Sequence, residues 1–169
     1  LADNTRVIEV VPYNPEWRMH FENMKEKLQN DLGDLILAVE HVGSTSVEGL
    51  YAKPIIDVDI VMESYDVLPA IIERLEDAGY VYEGNLGVEG REAFKAPEGS
   101  LVKHHLYECP KDGKGYLEHI AFRDYLRANE EARREYGLLK LRLAEQYRND
   151  IDSYSLGKTA FVTSVLQRN

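Results

Sequence analysis

Val39-Glu40-His41-Val42-Gly43-Ser44-Thr45-Ser46-Val47-Glu48-Gly49-Leu50-Tyr51-Ala52-Lys53-Pro54-Ile55-Ile56-Asp57-Val58-Asp59-Ile60-Val61-Met62 reads as a strand, a glycine turn, a short helical segment and a second strand. The first strand is the apolar run from Leu35 to Val42. It ends at Gly43, a residue type that takes backbone angles closed to others and suits a sharp exit. Ser44, Thr45 and Ser46 can each cap a helix start. A turn of this kind leaves backbone N–H groups facing outward, ready for a phosphate. On the second strand side chains alternate, so Asp57 and Asp59 share one face and Ile56, Val58 and Ile60 fill the other. On pattern alone the two carboxylates would equally suit a solvent-facing strand. Beside a phosphate turn they repel one another, and a cation relieves that repulsion. Mg2+ fits, because it takes one or two carboxylates together with phosphate oxygens of a substrate. The combination points to metal-assisted phosphoryl or nucleotidyl transfer.

Working outward, Val7 to Val11 is a short apolar run closed by Pro12, an edge strand or an extended arm. Asn14 and Pro15 open a helix whose apolar face is Trp17, Phe21, Met24, Leu28 and Leu32. Tyr65 to Ala78 reads as a helix ended by Gly79. Tyr80 to Tyr82 begins a strand, and Gly84, Gly87 and Gly90 mark a flexible connection. Arg91–Ala96 and Leu101–Cys109 read as a hairpin about Pro97-Glu98-Gly99. Lys114–Arg127, Glu130–Arg148 and Tyr154–Gln167 read as three helices, with Asn129 and Ser153 as caps. The middle one carries Ala132, Tyr136, Leu139, Leu143 and Tyr147 as one stripe. With no linker, repeat or low-complexity segment in view, the 169 residues read as one domain, a mixed α/β core over 1–110 and a helical part over 111–169.

Thirty acidic residues against 20 basic ones leave a net charge of −10, which speaks against sequence-independent nucleic-acid binding. Cys109 is the single cysteine, so no intrachain disulfide is expected, in keeping with a reducing cytoplasm. No apolar run has the length of a membrane span, and the start lacks a signal pattern. Gly157-Lys158-Thr159 matches the tail of a P-loop, but the position that the motif reserves for its first glycine holds Asp152.

Gly43-Ser44 followed by Asp57-Val58-Asp59 resembles the core signature of the nucleotidyltransferase fold. More narrowly, His41 to Val47 with Gly49-Leu50 and Ala52 to Asp57 resembles the GrpB family. The likeness continues at Val11–Trp17, His104–Tyr107, Ala121–Arg127 and Tyr154–Phe161, and so covers most of the chain. It implies an α+β, nucleotidyltransferase-like mixed sheet with flanking helices and a helical C-terminal subregion. It also implies transfer of a nucleoside monophosphate from a nucleoside triphosphate to a small-molecule or protein acceptor. Mg2+ would lie at Asp57 and Asp59, with the phosphates on Gly43, Ser44, Thr45 and Ser46. A third carboxylate usually completes such a site from the neighbouring strand, and Glu108 is the nearest candidate, although most GrpB relatives carry an apolar residue there. Adjacent His104 and His105 face opposite ways on a strand, so one of them would contact substrate, and a carbonyl-satisfied histidine is the equal alternative. Lys53 and Lys158 lie in matched segments and, with Arg91 and Lys103, are candidates to offset phosphate charge. Arg123 and Asp124 lie in a matched segment that hints at a bond between helix and sheet. A non-catalytic nucleotide- or phosphate-binding module of the same fold is the alternative, and the likeness of GrpB segments to ones joined to a dephospho-CoA kinase hints at coenzyme A.

Overall fold

Ile56–Met62, strand β2, carries the aspartate pair and lies second in a five-stranded sheet. The structure is a computed structural model in which residues 6–168 are described, so residues 1–5 and 169 of the expected domain lie outside them. Ahead of β2 come helix α1 (Glu16–Leu32) and strand β1 (Ala38–Val42). After it come α2 (Leu68–Asp77), β3 (Val81–Gly84), β4 (Glu92–Lys95) and β5 (His104–Pro110). Four helices finish the chain: α3 (Lys114–Ala128), α4 (Glu130–Gln146), α5 (Ile151–Gly157) and α6 (Thr159–Gln167). The sheet order is β1-β2-β5-β4-β3. Only the β2–β5 pair is parallel; the other three neighbours are antiparallel. The expected mixed sheet with flanking helices is what the chain forms.

Register decides what each face does. Across β1, β2 and β5, Val39, Ile60 and Glu108 form one row, and Glu40, Asp59 and Tyr107 form the next. On the first face Val39, Ile56, Val58, Ile60, Leu106 and Phe94 pack beneath Trp17, Phe21, Leu28 and Leu32 of α1 and Leu68, Ile71 and Leu75 of α2. Trp17 is 4% exposed and is a core anchor, with Tyr13 edge-on at 5.6 Å. The opposite face holds Asp57 and Asp59 and meets α3. A second apolar cluster, Val47, Leu50, Leu126, Ala132 and Tyr136 with Phe122 and Phe161 against it, ties the helical part to the stretch after the glycine turn.

Local details depart from the expected ones for identifiable reasons. β1 starts at Ala38 because Gly33–Leu35 forms a 3-10 turn that closes α1. Val7–Val11 is an extended arm; Val11 exchanges both backbone hydrogen bonds with Ala52, at 2.9 and 3.0 Å. Leu101 and Val102 lie in the turn before β5. Asn129 stands both at the end of α3 and at the N-cap of α4, whose first bond runs from the Arg133 N–H to its carbonyl at 3.0 Å, while its side-chain amide donates back to the Tyr125 carbonyl at 2.8 Å and makes no bond into α4. Asp150, not Ser153, caps α5 by accepting from the Ser153 N–H at 3.1 Å. The last expected helix is two helices broken at Lys158, after Gly157, whose backbone lies too close to Leu143 for a Cβ.

Candidate functional site

Asp57 and Asp59 point to the same face of β2, as alternation requires. They sit in different environments. Asp59 is fully buried, and its Oδ2 takes a 2.7 Å hydrogen bond from His119 Nδ1 on α3. Its Oδ1 is buried with no partner among the described residues. Asp57 is a third exposed on its side chain, and its Oδ1 pairs with His105 Nδ1 at 2.9 Å. Burial alone would lower the His119 pKa; the hydrogen bond and charge of Asp59 outweigh it, and the net shift is upward.

The turn in front of the pair is built around a missing side chain. Gly43 has φ 73°, and a Cβ there would collide with the Asp57 carboxylate. Gly43→Ala therefore combines backbone strain with displacement of Asp57. It is expected to cost about 2 to 3 kcal/mol in a urea titration. The three hydroxyl residues behind it all have partners. Thr45 Oγ1 pairs with His41 Nε2 at 2.9 Å, and Ser46 Oγ donates to the Gly43 carbonyl. Ser44 meets the Tyr136 hydroxyl inside a cavity of about 210 Å³.

That cavity assembles charge from distant parts of the chain. Lys53 precedes β2, Lys140 lies on α4 and Lys158 stands at the break between α5 and α6; all three line it with Gly43, Ser44 and Asp57. Lys53 and Lys158 lie over the Tyr154 ring at 5.3 and 4.7 Å, and Lys140 over Tyr136 at 4.6 Å. Lys140 is 2% exposed, and its Nζ has no hydrogen-bond partner among the described residues. Burial first, then the charges of Lys158 and Lys53, pull its pKa down to about 6. Burial and Lys53 bring Lys158 to about 8, and burial lowers Lys53. Three crowded lysine amines, two of them charged at neutral pH and the third ready to take up a proton with an anion, make a half-open receptacle for phosphate oxygens.

Helix α3 closes the site with residues one turn apart. His119 reaches Asp59, Arg123 Nη1 donates to Glu40 Oε2 at 2.8 Å and to the His41 carbonyl at 3.1 Å, and Arg127 donates to the Ser46 carbonyl from Nε and Nη2 at 3.0 and 2.8 Å. The expected helix-to-sheet bond is thus Arg123–Glu40, since Glu40 is the cross-strand neighbour of Asp59. His119, Arg127, Tyr136 and Lys140 were not among the sequence candidates. The sequence did carry signals for them: the four-residue repeat 119-123-127, and a lysine on the apolar stripe of α4 between Tyr136 and Leu143.

Not every candidate comes to the site. His105 does. His104 points to the other face, where Tyr80 Oη meets its Nε2 at 2.8 Å and Nδ1 meets the Val102 carbonyl, so it is the carbonyl-satisfied histidine. Lys103 lines the neighbouring groove over β4 and β5 and not the lysine cavity. Arg91 lies on the site face, its guanidinium 4.3 Å from the centre of the Tyr107 ring, one strand away from the cavity. Glu108 is the main correction. Its register partners are Ile60 and Glu92, which puts it on the core face, opposite the aspartates, whereas the strand position beside Asp59 holds Tyr107. Both Glu108 oxygens are buried without partners among the described residues, and burial, then the charge of Asp59, raise its pKa well above 4.5. A raised acid pKa means the folded state keeps a proton that the unfolded chain loses above that value, so this group lowers stability as pH rises. Glu108→Gln is expected to remove that decline, in urea titrations at about pH 5 and about pH 8, and to leave nucleotide binding unchanged.

Among the described residues no three His, Cys, Asp or Glu side chains converge as a metal-ligand group. The donors present fit one Mg2+ and not two. Two carboxylates on one strand face, one with an orphaned buried oxygen, supply what a single ion takes from protein when phosphate oxygens complete its shell. The strand position beside Asp59, where a third carboxylate would supply a further ligand, holds Tyr107.

A mixed sheet entered by a Gly-Ser turn, with paired aspartates on its second strand, defines the nucleotidyltransferase-like α+β fold. The Cid1 poly(U) polymerase, in a crystal structure bound to MgATP, shares it over 80% of this chain and 43% of its own, with a TM-score of 0.58 and 10% identity. The chain belongs to the GrpB family, whose model, described as GrpB protein, matches residues 7–168. It is 36% identical over 170 residues to the glutamate-rich protein GrpB of Alkalihalophilus pseudofirmus, covering 98% of each. It is 35% identical over 157 residues to the UPF0157 protein YqkA of Bacillus subtilis, covering 93% of this chain and about half, 46%, of that protein. The crystal structure of the conserved protein GrpB from Enterococcus faecalis superposes with a TM-score of 0.85 at 35% identity, over 95% of this chain and 96% of that one. No helix among the described residues is long and apolar enough to cross a membrane.

Proposed function

We infer that the site binds a nucleoside triphosphate with one Mg2+ and transfers the nucleoside monophosphate to an acceptor hydroxyl or amine, releasing pyrophosphate. The observation that supports this best is the single cavity joining the Gly43-Ser44 turn and Asp57 to Lys53, Lys140 and Lys158. The lysines would hold the β and γ phosphates, which places the α phosphorus toward Asp57 at the mouth. The acceptor attacks there: its P–O or P–N bond forms, the bond to the β-phosphate oxygen breaks, and the acceptor's proton is lost to water. Pyrophosphate departs still paired with the three ammonium groups, where its new charge is stabilised. Asp57 and Asp59 would hold the ion, which when bound polarises the α-phosphate. His119 keeps the Asp59 carboxylate oriented through Nδ1, and Arg123 and Arg127 fix the far side of the turn.

The acceptor would approach over the 670 Å³ groove on β4 and β5, which shares Ile55 and His105 with the phosphate cavity. A small molecule or a protein side chain suits a chain of net charge −10 better than a polynucleotide. Calorimetric titration with ATP, with and without Mg2+, tests the reading. Binding strengthened by the ion supports it, and absence of binding by a folded sample removes it.

A further inference from the structure

We propose that this site reads the triphosphate of its ligand and not the base, so that ATP, GTP, CTP, UTP and inorganic tripolyphosphate occupy it on nearly equal terms. The inference rests on the nucleotide reading above and gives it a substrate class. At about 210 Å³ the lysine cavity is smaller than the ~300–1,000 Å³ that encloses a whole drug-sized ligand. What it offers is charge. Lys53, Lys140 and Lys158 make no ion pair among the described residues, and the buried Lys140 Nζ has no partner until a ligand oxygen supplies one.

Its two tyrosine rings offer no open face to a base. The Tyr154 ring is fully buried and occupied by Lys53 and Lys158. The Tyr136 ring is 5% exposed, stacks on Phe161 at 4.8 Å and 8° and meets the edge of Phe122 at 5.3 Å. Neither presents an open aromatic face. No asparagine or glutamine, whose amides meet a base edge with a donor and an acceptor side by side, lines the cavity or the adjoining groove. In that groove the ring of Tyr107 already carries Arg91. A site gains strong discrimination when it is built to hydrogen-bond the distinguishing group, and the polar side chains of the groove, Ser100, Lys103, His105 and Tyr107 among them, include no such amide.

The test is calorimetric titration of the full chain, in Mg2+, with each of the four triphosphates and with inorganic tripolyphosphate, on wild type and on Lys140→Met. The expected result is five dissociation constants within about fivefold of one another, all weakened about 30-fold or more by Lys140→Met. Should that variant not fold, Lys158→Met at the helix break serves in its place. One nucleotide preferred by more than about 20-fold, or tripolyphosphate silent where nucleotides bind, overturns the inference and leaves the nucleotide site standing. No binding of any of the five by folded wild type overturns both.

Discussion

Lys140→Met is expected to make the protein more stable and its phosphate site nearly useless. The lysine is buried, its Nζ is unpartnered, and its pKa is drawn down to about 6 by burial and by Lys158 and Lys53. At neutral pH the folded chain therefore lacks a proton that the unfolded chain holds up to about 10.5. Because the unfolded state binds more protons, stability contributed through this group rises with pH between those two values and is lowest below about 6. Methionine has a similar length and no charge to desolvate, so the variant should gain on the order of 2 kcal/mol at neutral pH. The pH-dependent rise should shrink, since Lys158 still contributes above its own value of about 8. Binding carries the same linkage with the opposite outcome. A phosphate stabilises the protonated amine, so binding takes up protons and weakens as pH rises. Titrations of wild type in two buffers of different ionisation enthalpy should show that uptake at neutral pH, and Lys140→Met should lose most of it. A protein that is both destabilised and unchanged in phosphate affinity would show that Lys140 is only a packing residue.

Asp57→Asn with Asp59→Asn is expected to abolish metal-strengthened nucleotide binding and to lower any transfer rate by about a thousandfold or more, the effect of removing several kcal/mol of charge stabilisation. The fold should survive, because the amides keep the shape of the carboxylates. Losing the Asp59 charge also removes what raises the His119 pKa, so the variant should lose stability at low pH, where that histidine is protonated in both states, and little once pH has risen through its folded value. His119 and His105 each keep an oxygen to bind. Circular dichroism and urea titration report the fold, while nucleotide titration with and without Mg2+ reports the site. Undiminished metal dependence in the double variant would move the ion elsewhere.

The sheet, the glycine turn and the aspartate pair were legible because each depends on near neighbours in sequence. Period-two alternation in β2 and a glycine before three hydroxyl residues need no distant partner. The face of Glu108 was not legible, since it depends on how β5 registers against β2, and a shift of one residue exchanges its place with Tyr107. The lysine cavity was half legible. Lys53 and Lys158 lie in segments that carry the family resemblance, whereas Lys140 stands in a helix of mixed charge where surface lysine is the ordinary reading. Its position four residues after Tyr136 and three before Leu143 placed it on the buried stripe, a signal that the apolar pattern alone passes over. His119 and Arg127 belong to the same class: their spacing with Arg123 was visible, but their partners Asp59 and Ser46 come from the other end of the fold.

The central claim is that one ion and one triphosphate meet at Asp57, Asp59 and the three lysines. Its most direct test is diffraction from crystals soaked with Mn2+ and a non-hydrolysable ATP analogue, collected at the manganese edge. The account predicts one anomalous peak at about 2 Å from a carboxylate oxygen of each aspartate, with the triphosphate against Lys53, Lys140 and Lys158. Nucleotide bound at another place, or no peak at the aspartate pair, would contradict it.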